Sequence, residues 1–401
     1  MTTTMRLPTA APTPRPTRAR ITDLTLCVAA LSSSWSAVSI GGVNVVDWLL
    51  SGSLLLTLIA RIAHRRPVYI SFWMIIPFFG AIVIETLAVI SGRSDAFASV
   101  MVLRVLLATT LVAVLIQTLA IANTRKLLID LLAWWAVGIT LSSATAALVA
   151  SGAISLQGVL TQATGERLSG LAAHPNGLAF SITIVFPALI YFLRSATAKV
   201  KLLWLAALVI NLGALFLSDS RSGLLVGATS LGLSIVLAIR STRGRVLAAP
   251  VLLLAGSLAV VQLPALLAGS RLLTGAPLSD AARSSINSTA LQEFFDNPVL
   301  GGGFEALGGV AVPLQLISTG GIVLLLGYYT YVLRPVPALW RRRGDHLATT
   351  GLLSLAMLVA FGLSNPVILE RAAFWPALIA YFYMRSTEDL LPEREPWSPT
   401  P

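Results

Sequence analysis

Charged residues are scarce in this chain of 401 residues, at 11% of the sequence against about 25% in an ordinary soluble domain. Hydrophobic residues make up 56%, and the mean hydropathy is +0.83. Apolar runs of roughly 20 residues at this density exceed what a single soluble core can bury, and they require a lipid bilayer. The composition therefore excludes soluble globular, disordered and fibrous proteins.

Cysteine is almost missing as well. The single cysteine, Cys27, lies in the first apolar run, so the chain forms no internal disulfide. Asp and Glu number 17 against 28 Lys and Arg, which gives a net charge of +11. Such an excess also occurs in proteins that bind nucleic acid, but the basic residues here follow the membrane topology, and we predict no nucleic-acid partner.

The chain contains twelve apolar runs, each long enough to cross a hydrocarbon core of ~30 Å, and in lipid only helices suit runs of this kind. We therefore predict an all-α fold, a polytopic transmembrane helix bundle of about 12 spans, as one domain over residues 21–385. We predict that residues 1–20 form a disordered cytoplasmic tail rather than a signal peptide, and that residues 386–401 form a second cytoplasmic tail. The runs are 22–40, 43–61, 68–90, 98–123, 127–152, 177–193, 202–218, 222–239, 246–268, 310–333, 347–364 and 369–384.

The basic residues alternate between the two sides of these runs. With the N-terminus in the cytoplasm, 21 of the 28 fall on the cytoplasmic side, as the positive-inside rule expects. Both termini are therefore predicted to be cytoplasmic. The seven on the outer side go against the trend and mark candidate functional positions: Arg93, Arg104, Arg167, Arg221, Arg271, Arg283 and Arg371.

Two predicted outer loops are longer than hairpins, at about 153–176 and about 269–309. A loop of the second length in a compact membrane protein is usually functional or disordered. Within this large extracytoplasmic loop, residues 282–295 predict a short amphipathic helix, with one apolar face made of Ile286, Ala290, Leu291 and Phe294.

The first chemical signal lies at the outer mouth of the run 177–193. Pro175 and Asn176 form a helix start, whose exposed N–H groups favour an anion. Arg167 precedes them with a planar guanidinium that binds phosphate oxygens, and His174 is the only histidine on the outer side. Composition alone is equally consistent with both side chains lying in the polar headgroup layer.

Two further signals follow on the same predicted side. Residues 218–223, Ser-Asp-Ser-Arg-Ser-Gly, form a short turn whose acid and arginine make either an internal salt bridge or a wall of a site. Arg283 lies in the amphipathic segment. The Gly-rich stretch 294–304 that follows it predicts a tight backbone turn.

Together these segments resemble the O-antigen ligase and polymerase family of membrane glycan-assembly proteins, over about residues 165–330. The family pattern is an Arg-x-x-Gly segment before a Pro-Asn helix start, then a Ser-Arg turn, then a large outer loop that ends in Asn-Pro-x-x-Gly-x-Gly. The order, spacing and common side of the motifs carry the resemblance. The residues that fit in order are Arg167, Gly170, Pro175, Asn176, Ser220, Arg221, Gly223, Asn297, Pro298, Gly301 and Gly303.

The resemblance implies a membrane glycosyltransferase of polysaccharide biosynthesis in the bacterial cytoplasmic (inner) membrane. Such a protein transfers or polymerises glycan from a polyprenyl-pyrophosphate-linked oligosaccharide at the outer face, onto a glycan or lipid acceptor, beside other cell-envelope biosynthesis proteins. It uses no metal and no cofactor. By position, Arg167 and Arg283 would hold the pyrophosphate and stabilise its developing charge. We place His174 with them as catalytic candidates, and the substrate-binding candidates are Arg221, Asn176, Glu293, Gly301 and Gly303.

One position departs from the family pattern. Ligases of the family place a His-Asn pair where this chain has Val310 and Ala311, so the histidine that assists the acceptor hydroxyl is missing. The departure favours a polymerase, or a divergent member of the family, over a ligase. A catalytic base, if one is used, would be one of four residues, each of which also fits a solvated loop position: His174, Glu166, Glu293 and Glu305.

Two charges and three tryptophans lie within the predicted spans. Glu85 and Arg104 sit at similar depth in adjacent antiparallel runs, and either charge alone in lipid costs several kcal/mol. We therefore predict an ion pair between them, in preference to an ion-coupling role. Three aromatic residues are predicted to anchor at the membrane interface: Trp134, Trp135 and Trp375.

Two other functions fit part of the sequence. A multi-spanning transporter or flippase of a polar or lipid-linked substrate has a similar span count, but transporters keep polar residues near the bilayer midplane, where this chain has few. A peptidoglycan-type glycosyltransferase of the shape, elongation and division class also has a large outer loop, but its expected motifs are missing. The polar residues that cluster at the outer loops favour lipid-linked glycan transfer.

Overall fold

The computed structural model describes residues 17–40, 43–63, 72–92, 124–155, 167–239, 277–304, 309–368 and 370–388. Most of these residues are helical. A small antiparallel pair joins β1 (Ser39–Ile40) to β2 (Val43–Asn44). The helices are α1 (Thr17–Ser32), α2 (Val45–Ala63), α3 (Phe72–Ile90), α4 (Thr124–Ala150), α5 (Pro175–Ser195), α6 (Ala198–Leu217), α7 (Arg221–Ala238), α8 (Pro277–Asp296), α9 (Val312–Leu333), α10 (Val336–Arg341), α11 (His346–Gly362) and α12 (Phe374–Glu388).

Five stretches of helix are long and apolar enough to cross a membrane: α4, α5, α6, α7 and the stretch formed by α9 and α10. Shorter apolar stretches occur in α1, α2, α3 and α11. The prediction of a helical protein with membrane-spanning segments is confirmed at this level. The predicted runs 98–123 and 246–268 lie outside the described residues, so the count of about 12 spans stays a prediction.

The described helices extend beyond the apolar runs at both ends of the predicted domain. Helix α1 begins at Thr17, inside the predicted tail 1–20, and α12 continues to Glu388, inside the predicted tail 386–401. A helix does not end where its apolar stretch ends, because arginine and glutamate are good helix formers in water. Hydropathy therefore places the edge of the lipid-facing stretch rather than the end of the helix.

Helix α5 lies at the centre of the bundle. It packs against α4, α6, α7 and α11, and nearly all of its residues are buried. Small side chains allow close approach, since a Cβ added to Gly223 of α7 would lie 2.6 Å from the Cβ of Ala179. Hydroxyl groups also form hydrogen bonds between these helices, and the Ser230 hydroxyl of α7 donates to the Thr183 carbonyl of α5 at 2.8 Å. The N-terminal turn of α5 is therefore held firmly from several sides.

Helix α9 is broken at Gly320 and Gly321, and the φ of Gly321 is 60°. The segment before α9 satisfies the backbone groups that the break exposes. Membrane-spanning backbone needs internal partners of this kind, because lipid offers none. Three hydrogen bonds run from donor to acceptor: the amide of Gly302 to the carbonyl of Ser318 (2.8 Å), Gly303 to Thr319 (2.9 Å) and Ile322 to Pro298 (3.0 Å).

The described bundle has two ends of different charge. At the first, which we call the basic end, the Arg125 guanidinium pairs with Asp345 at 2.9 Å, and the Tyr383 hydroxyl donates to the same carboxylate at 2.9 Å. The described basic side chains at this end are Arg125, Lys126, Arg194, Lys199, Lys201, Arg334, Arg341, Arg342 and Arg343. The opposite end, which we call the site end, has Arg167, Arg221, Arg283 and Arg371.

The predicted ion pair of Glu85 with Arg104 stays a prediction, and two of the three tryptophan predictions are wrong. The predicted partner of Glu85, Arg104, lies outside the described residues, and the Glu85 carboxylate accepts a hydrogen bond from the Phe304 amide at 3.2 Å. The prediction of interface anchoring is wrong for Trp135 and Trp375, which are 0% and 2% exposed in the core. Consecutive residues of a helix point about 100° apart, so Trp134, at 37% exposed, and its neighbour face different surroundings.

Candidate functional site

A cavity of about 540 Å³ lies at the site end of the bundle. Its wall comes from the segment before α5, the starts of α5 and α7, helix α8, the residue at 310, and the segment between α11 and α12. Five of the eight predicted site residues, drawn from three separate motifs, line this one space: Arg167, His174, Asn176, Arg221 and Arg283.

Two helices begin at the cavity. Helix α5 starts at Pro175 and α7 starts at Arg221, and the side chains of His174 and Ser220 cap them. The dipole of a helix N-terminus favours a negatively charged ligand, while the first-turn amides of α5 at Asn176, Gly177 and Leu178 are already paired with His174. The ends of two helices and three arginines therefore attract an anion to the same wall.

Arg167 is held in place by two hydrogen bonds. Its Nε donates to the Ser218 carbonyl at 3.0 Å, and its Nη2 donates to Asn176 Oδ1 at 2.9 Å. The bonds fix the guanidinium between the first turn of α5 and the end of α6. A guanidinium fixed in this way has little conformational freedom left to lose when it binds a phosphate group.

The segment that carries Arg167 depends on close backbone packing. Gly170 has a φ of +57°, and a Cβ added there would lie 2.1 Å from the Ser142 carbonyl oxygen of α4. The Leu171 amide donates to the Ser142 hydroxyl at 3.0 Å. The glycine of the predicted Arg-x-x-Gly motif is therefore a packing requirement, because no other residue fits this turn against α4.

His174 uses one of its ring nitrogens to begin α5. Its Nδ1 accepts the Asn176 backbone N–H at 3.1 Å, so the neutral ring carries its proton on Nε2. Burial lowers the pKa of His174, and the positive charges of Arg167 and Arg283 lower this pKa further. The imidazole therefore stays neutral near pH 7 and offers an N–H donor.

The Ser-Arg turn places Arg221 and Asp219 on the wall. Asp219 has a φ of 45°, in the left-handed region that Asp and Asn tolerate best after glycine. This conformation turns the chain sharply between α6 and α7. The Ser220 hydroxyl then accepts the Gly223 amide at 3.2 Å and starts α7.

Arg283 lies on α8, one turn from Ile286, and both side chains line the cavity. The predicted short amphipathic helix is a helix of 20 residues, and of its predicted apolar face only Ala290 is buried. The Asn287 side chain accepts the Val310 amide at 3.0 Å, which ties α8 to the segment before α9. Val310 also lines the cavity, so the position at which ligases of the resembled family carry histidine is apolar here and faces the site.

Three predicted substrate-binding residues do not line this cavity: Glu293, Gly301 and Gly303. The two glycines belong instead to the segment that seals the break in α9. Gly301 has a φ of +65°, and a Cβ there would lie 2.4 Å from the Thr319 carbonyl carbon. The motif Asn-Pro-x-x-Gly-x-Gly is therefore built into the fold here, through backbone contact. Glu166 and Glu305 lie outside the described residues.

The segment between α11 and α12 adds residues that the sequence analysis did not single out. Glu370 and Asn365 both line the cavity. The only hint in the sequence is that Arg371, one of the seven outlying basic residues, is next to Glu370. Arg371 itself binds Asp47 of α2 through two hydrogen bonds, at 2.6 and 3.2 Å.

The ionisable side chains of the wall are three arginines, one histidine and two carboxyl groups, Asp219 and Glu370. Burial raises the pKa of Glu370, while the Arg371 charge and a hydrogen bond from Ser36 lower it in part. The described residues contain no group of three or more His, Cys, Asp or Glu that could hold a metal ion. The wall therefore combines fixed positive charge with a carboxyl group of raised basicity.

No family model matches this sequence, and no curated protein matches it either.

Proposed function

We propose that this protein transfers or polymerises glycan from a polyprenyl-pyrophosphate-linked donor at the outer face of a bacterial cytoplasmic membrane. The observation that carries the proposal is the cavity at the site end, where Arg167, Arg221 and Arg283 converge with His174. These residues come from three motifs that are up to 116 positions apart in the chain, from 167 to 283. Binding of one ligand by all of them would explain why residues from three motifs meet at this cavity.

The charge of the wall suits a pyrophosphate. Three guanidinium groups outnumber the two carboxyl groups, and the starts of α5 and α7 add partial positive charge. Guanidinium groups bind phosphate oxygens through charge-assisted hydrogen bonds, and the Nε and Nη2 of Arg167 are already engaged with Ser218 and Asn176. Next to lipid, where the effective dielectric constant is low, each such contact is stronger than in water.

The surface beside the cavity suits the polyprenyl chain. Ile286 lines the cavity and is also 44% exposed. Further exposed apolar side chains follow on α8 and on the turn after it: Leu291, Phe295, Val299 and Leu300. An exposed apolar patch of this kind marks a lipid or ligand contact. A donor would place its pyrophosphate among the arginines and its isoprenoid tail along this face.

Fixed charge would drive the chemistry. When the glycosidic carbon–oxygen bond to phosphate breaks, its electron pair stays on the leaving pyrophosphate, which gains negative charge. Arginines already in position stabilise this charge in the transition state without reorganising. The Nε2–H of His174 is a further donor for a phosphate oxygen, since Nδ1 is engaged in the helix cap.

The acceptor side favours a polymerase over a ligase. Val310 stands at the cavity wall where ligases of the resembled family carry histidine. Its apolar side chain offers no proton acceptor for an incoming hydroxyl. A growing glycan chain is then the acceptor we favour over a lipid core.

Reconstituted protein provides the test. Proteoliposomes would receive the lipid-linked oligosaccharide fraction extracted from the source cells, and glycan length and released polyprenyl pyrophosphate would be measured together. We expect longer glycan with one pyrophosphate released per linkage, lost in Arg283→Ala and kept in the control Arg341→Ala, an exposed arginine at the basic end. Movement of the lipid-linked fraction across the bilayer with no new linkage would contradict the proposal and establish the flippase alternative.

A further inference from the structure

The segment between α11 and α12 forms a wall of the cavity that the pyrophosphate contacts do not use. It contributes Asn365, Pro366, Val367 and Glu370. The three arginines and His174 come from other elements. This wall therefore adds its own polar groups to the cavity, next to the starts of α5 and α7.

Glu370 is held against the first turn of α5. Its Oε1 would lie 2.8 Å from a Cβ added to Gly177, so the carboxyl group lies directly against the α5 backbone at this glycine. A hydrogen bond from Ser36 also reaches it. The neighbouring Arg371 is drawn toward Asp47, with which it makes a two-pronged ion pair. The carboxyl group is thus fixed at the cavity, half-buried.

Asn365 supplies a second polar group on this wall. Its side chain is fully buried, and its Nδ2 donates to the Ser222 hydroxyl at 2.6 Å and to the Ser364 hydroxyl at 3.0 Å. Its Oδ1 has no hydrogen-bond partner among the described residues. A buried acceptor without a partner is costly, and because this Oδ1 has less than 1 Å² of exposed surface, a ligand hydroxyl would gain that hydrogen bond only with a side-chain movement of the wall.

We propose that Glu370 and Asn365 form the acceptor half of the site, in which Glu370 takes the proton of the attacking sugar hydroxyl. This inference rests on the proposed function. The hydroxyl oxygen forms the new bond to the anomeric carbon of the donor, and its proton moves to the Glu370 carboxylate. The bond from the anomeric carbon to phosphate breaks, and its electron pair leaves with the pyrophosphate.

The other candidate bases on the wall fit this role less well. His174 has no vacant ring nitrogen while it caps α5, and a second proton would place an imidazolium beside Arg167 and Arg283. Asp219 lies in the turn that also carries Arg221, one of the proposed phosphate contacts. The burial that raises the pKa of Glu370 makes its carboxylate a stronger base than an exposed one.

The first experiment compares Glu370→Gln with the control Asp296→Asn, an exposed carboxylate on α8 that does not line the cavity. Transfer would be assayed in proteoliposomes with the extracted lipid-linked oligosaccharide fraction, and donor affinity would be measured with undecaprenyl pyrophosphate. We expect Glu370→Gln to lower kcat by about 10²-fold or more, with donor affinity unchanged. Asp296→Asn should leave both quantities unchanged.

The pH profile of kcat is the second readout. A base must be deprotonated to act, so wild-type kcat should rise with pH through the Glu370 pKa, and Glu370→Gln should lose this rise. The charged and titratable groups that face Glu370 are Arg371, together with Arg167, His174, Asp219, Arg221 and Arg283 across the cavity. An acidic limb that persists in Glu370→Gln but is lost in Asp219→Asn would assign the base to Asp219 and overturn the inference.

Chemical rescue covers the case in which Glu370→Gln folds poorly. Glu370→Ala leaves a space that formate can fill, and formate should restore kcat in a concentration-dependent manner while wild type does not respond. A merely structural role would give no rescue. Turnover of Glu370→Gln within threefold of wild type, with Arg283→Ala inactive, would overturn the acceptor assignment and leave the proposed function intact. Loss of undecaprenyl pyrophosphate binding in Glu370→Gln would instead place this residue on the donor side and overturn the inference.

Discussion

At the residue scale, His174 connects the fold to the site. Its Nδ1 caps α5, and its Nε2–H can donate a hydrogen bond to a phosphate oxygen. Burial and two nearby arginines keep the ring neutral. The two arginines that favour an anion therefore also favour the neutral form of His174.

The His174 cap makes stability dependent on pH. Because the folded protein lowers the pKa of His174, the unfolded chain binds a proton more readily as the pH falls below about 6.5. The stabilisation from neutral His174 is therefore present at neutral pH and is lost as the pH falls. We expect the detergent-solubilised wild type to lose more apparent Tm between pH 7.5 and 5.5 than His174→Asn.

Asparagine is the matched replacement because it is also a good helix N-cap, and it does not titrate. The difference between the two melting curves isolates the histidine, since Glu370 titrates in both proteins. Equal losses of Tm in the two proteins over this pH range would show that His174 is not buried among the arginines as described.

At the element scale, the broken helix α9 explains motif residues that the sequence analysis assigned to substrate. The Gly303 amide donates to the Thr319 carbonyl, and Gly301 packs against the backbone of Thr319 and Gly320. The sequence pattern showed that the backbone there is tight. It did not show what the backbone approaches, because the break at Gly320 and Gly321 is visible only once the two segments are in contact.

We expect Gly301→Ala to destabilise the protein by about 2–5 kcal/mol, from the left-handed φ and the clash with the backbone at Thr319. The matched control is Gly213→Ala in α6, where a Cβ meets nothing within 4 Å and the effect should stay within about 1 kcal/mol. Apparent Tm in detergent and the yield of monodisperse protein measure both. Equal stability of the two variants would mean that the segment does not pack on α9 in this way.

The difference between local sequence patterns and long-range contacts also explains which site residues could be predicted from the sequence. Arg167, Asn176 and Arg221 could be found because each belongs to a local helix-start or turn pattern that can be read without a fold. Glu370 and Asn365 have no local signal, since their roles depend on contacts with Gly177 and Ser222, which are distant in sequence. Residues whose contacts are distant in sequence can be recognised only once the fold is known.

At the scale of the whole molecule, the distribution of basic residues and the position of the cavity agree. Nine of the described basic side chains lie at the basic end and four at the site end, and three of those four line the cavity. From the sequence alone, the alternation of basic loops predicted that the two ends of the helix bundle differ in charge. By the positive-inside rule we propose that the basic end faces the cytoplasm and that the cavity faces the outside.

Cysteine labelling tests this orientation. In a Cys27→Ala background, Ser285→Cys on α8 should react with a membrane-impermeant maleimide added to intact cells, and Lys199→Cys at the basic end should react only after the membrane is opened. Both positions are exposed in the structure. Labelling of Lys199→Cys alone in intact cells would reverse the orientation and move the proposed chemistry to the cytoplasm.

Binding of undecaprenyl pyrophosphate to the purified protein tests the central claim most directly. We expect the double variant Arg167→Gln with Arg283→Gln to bind it about 10²-fold or more weakly than wild type, since two charge-assisted contacts are lost. Undecaprenol, which has no phosphate, should bind both proteins equally. The control pair Lys199→Gln with Arg341→Gln, exposed at the basic end, should bind like wild type. Unchanged pyrophosphate affinity in a folded double variant at Arg167 and Arg283 would contradict the assignment of this cavity to the lipid-linked donor.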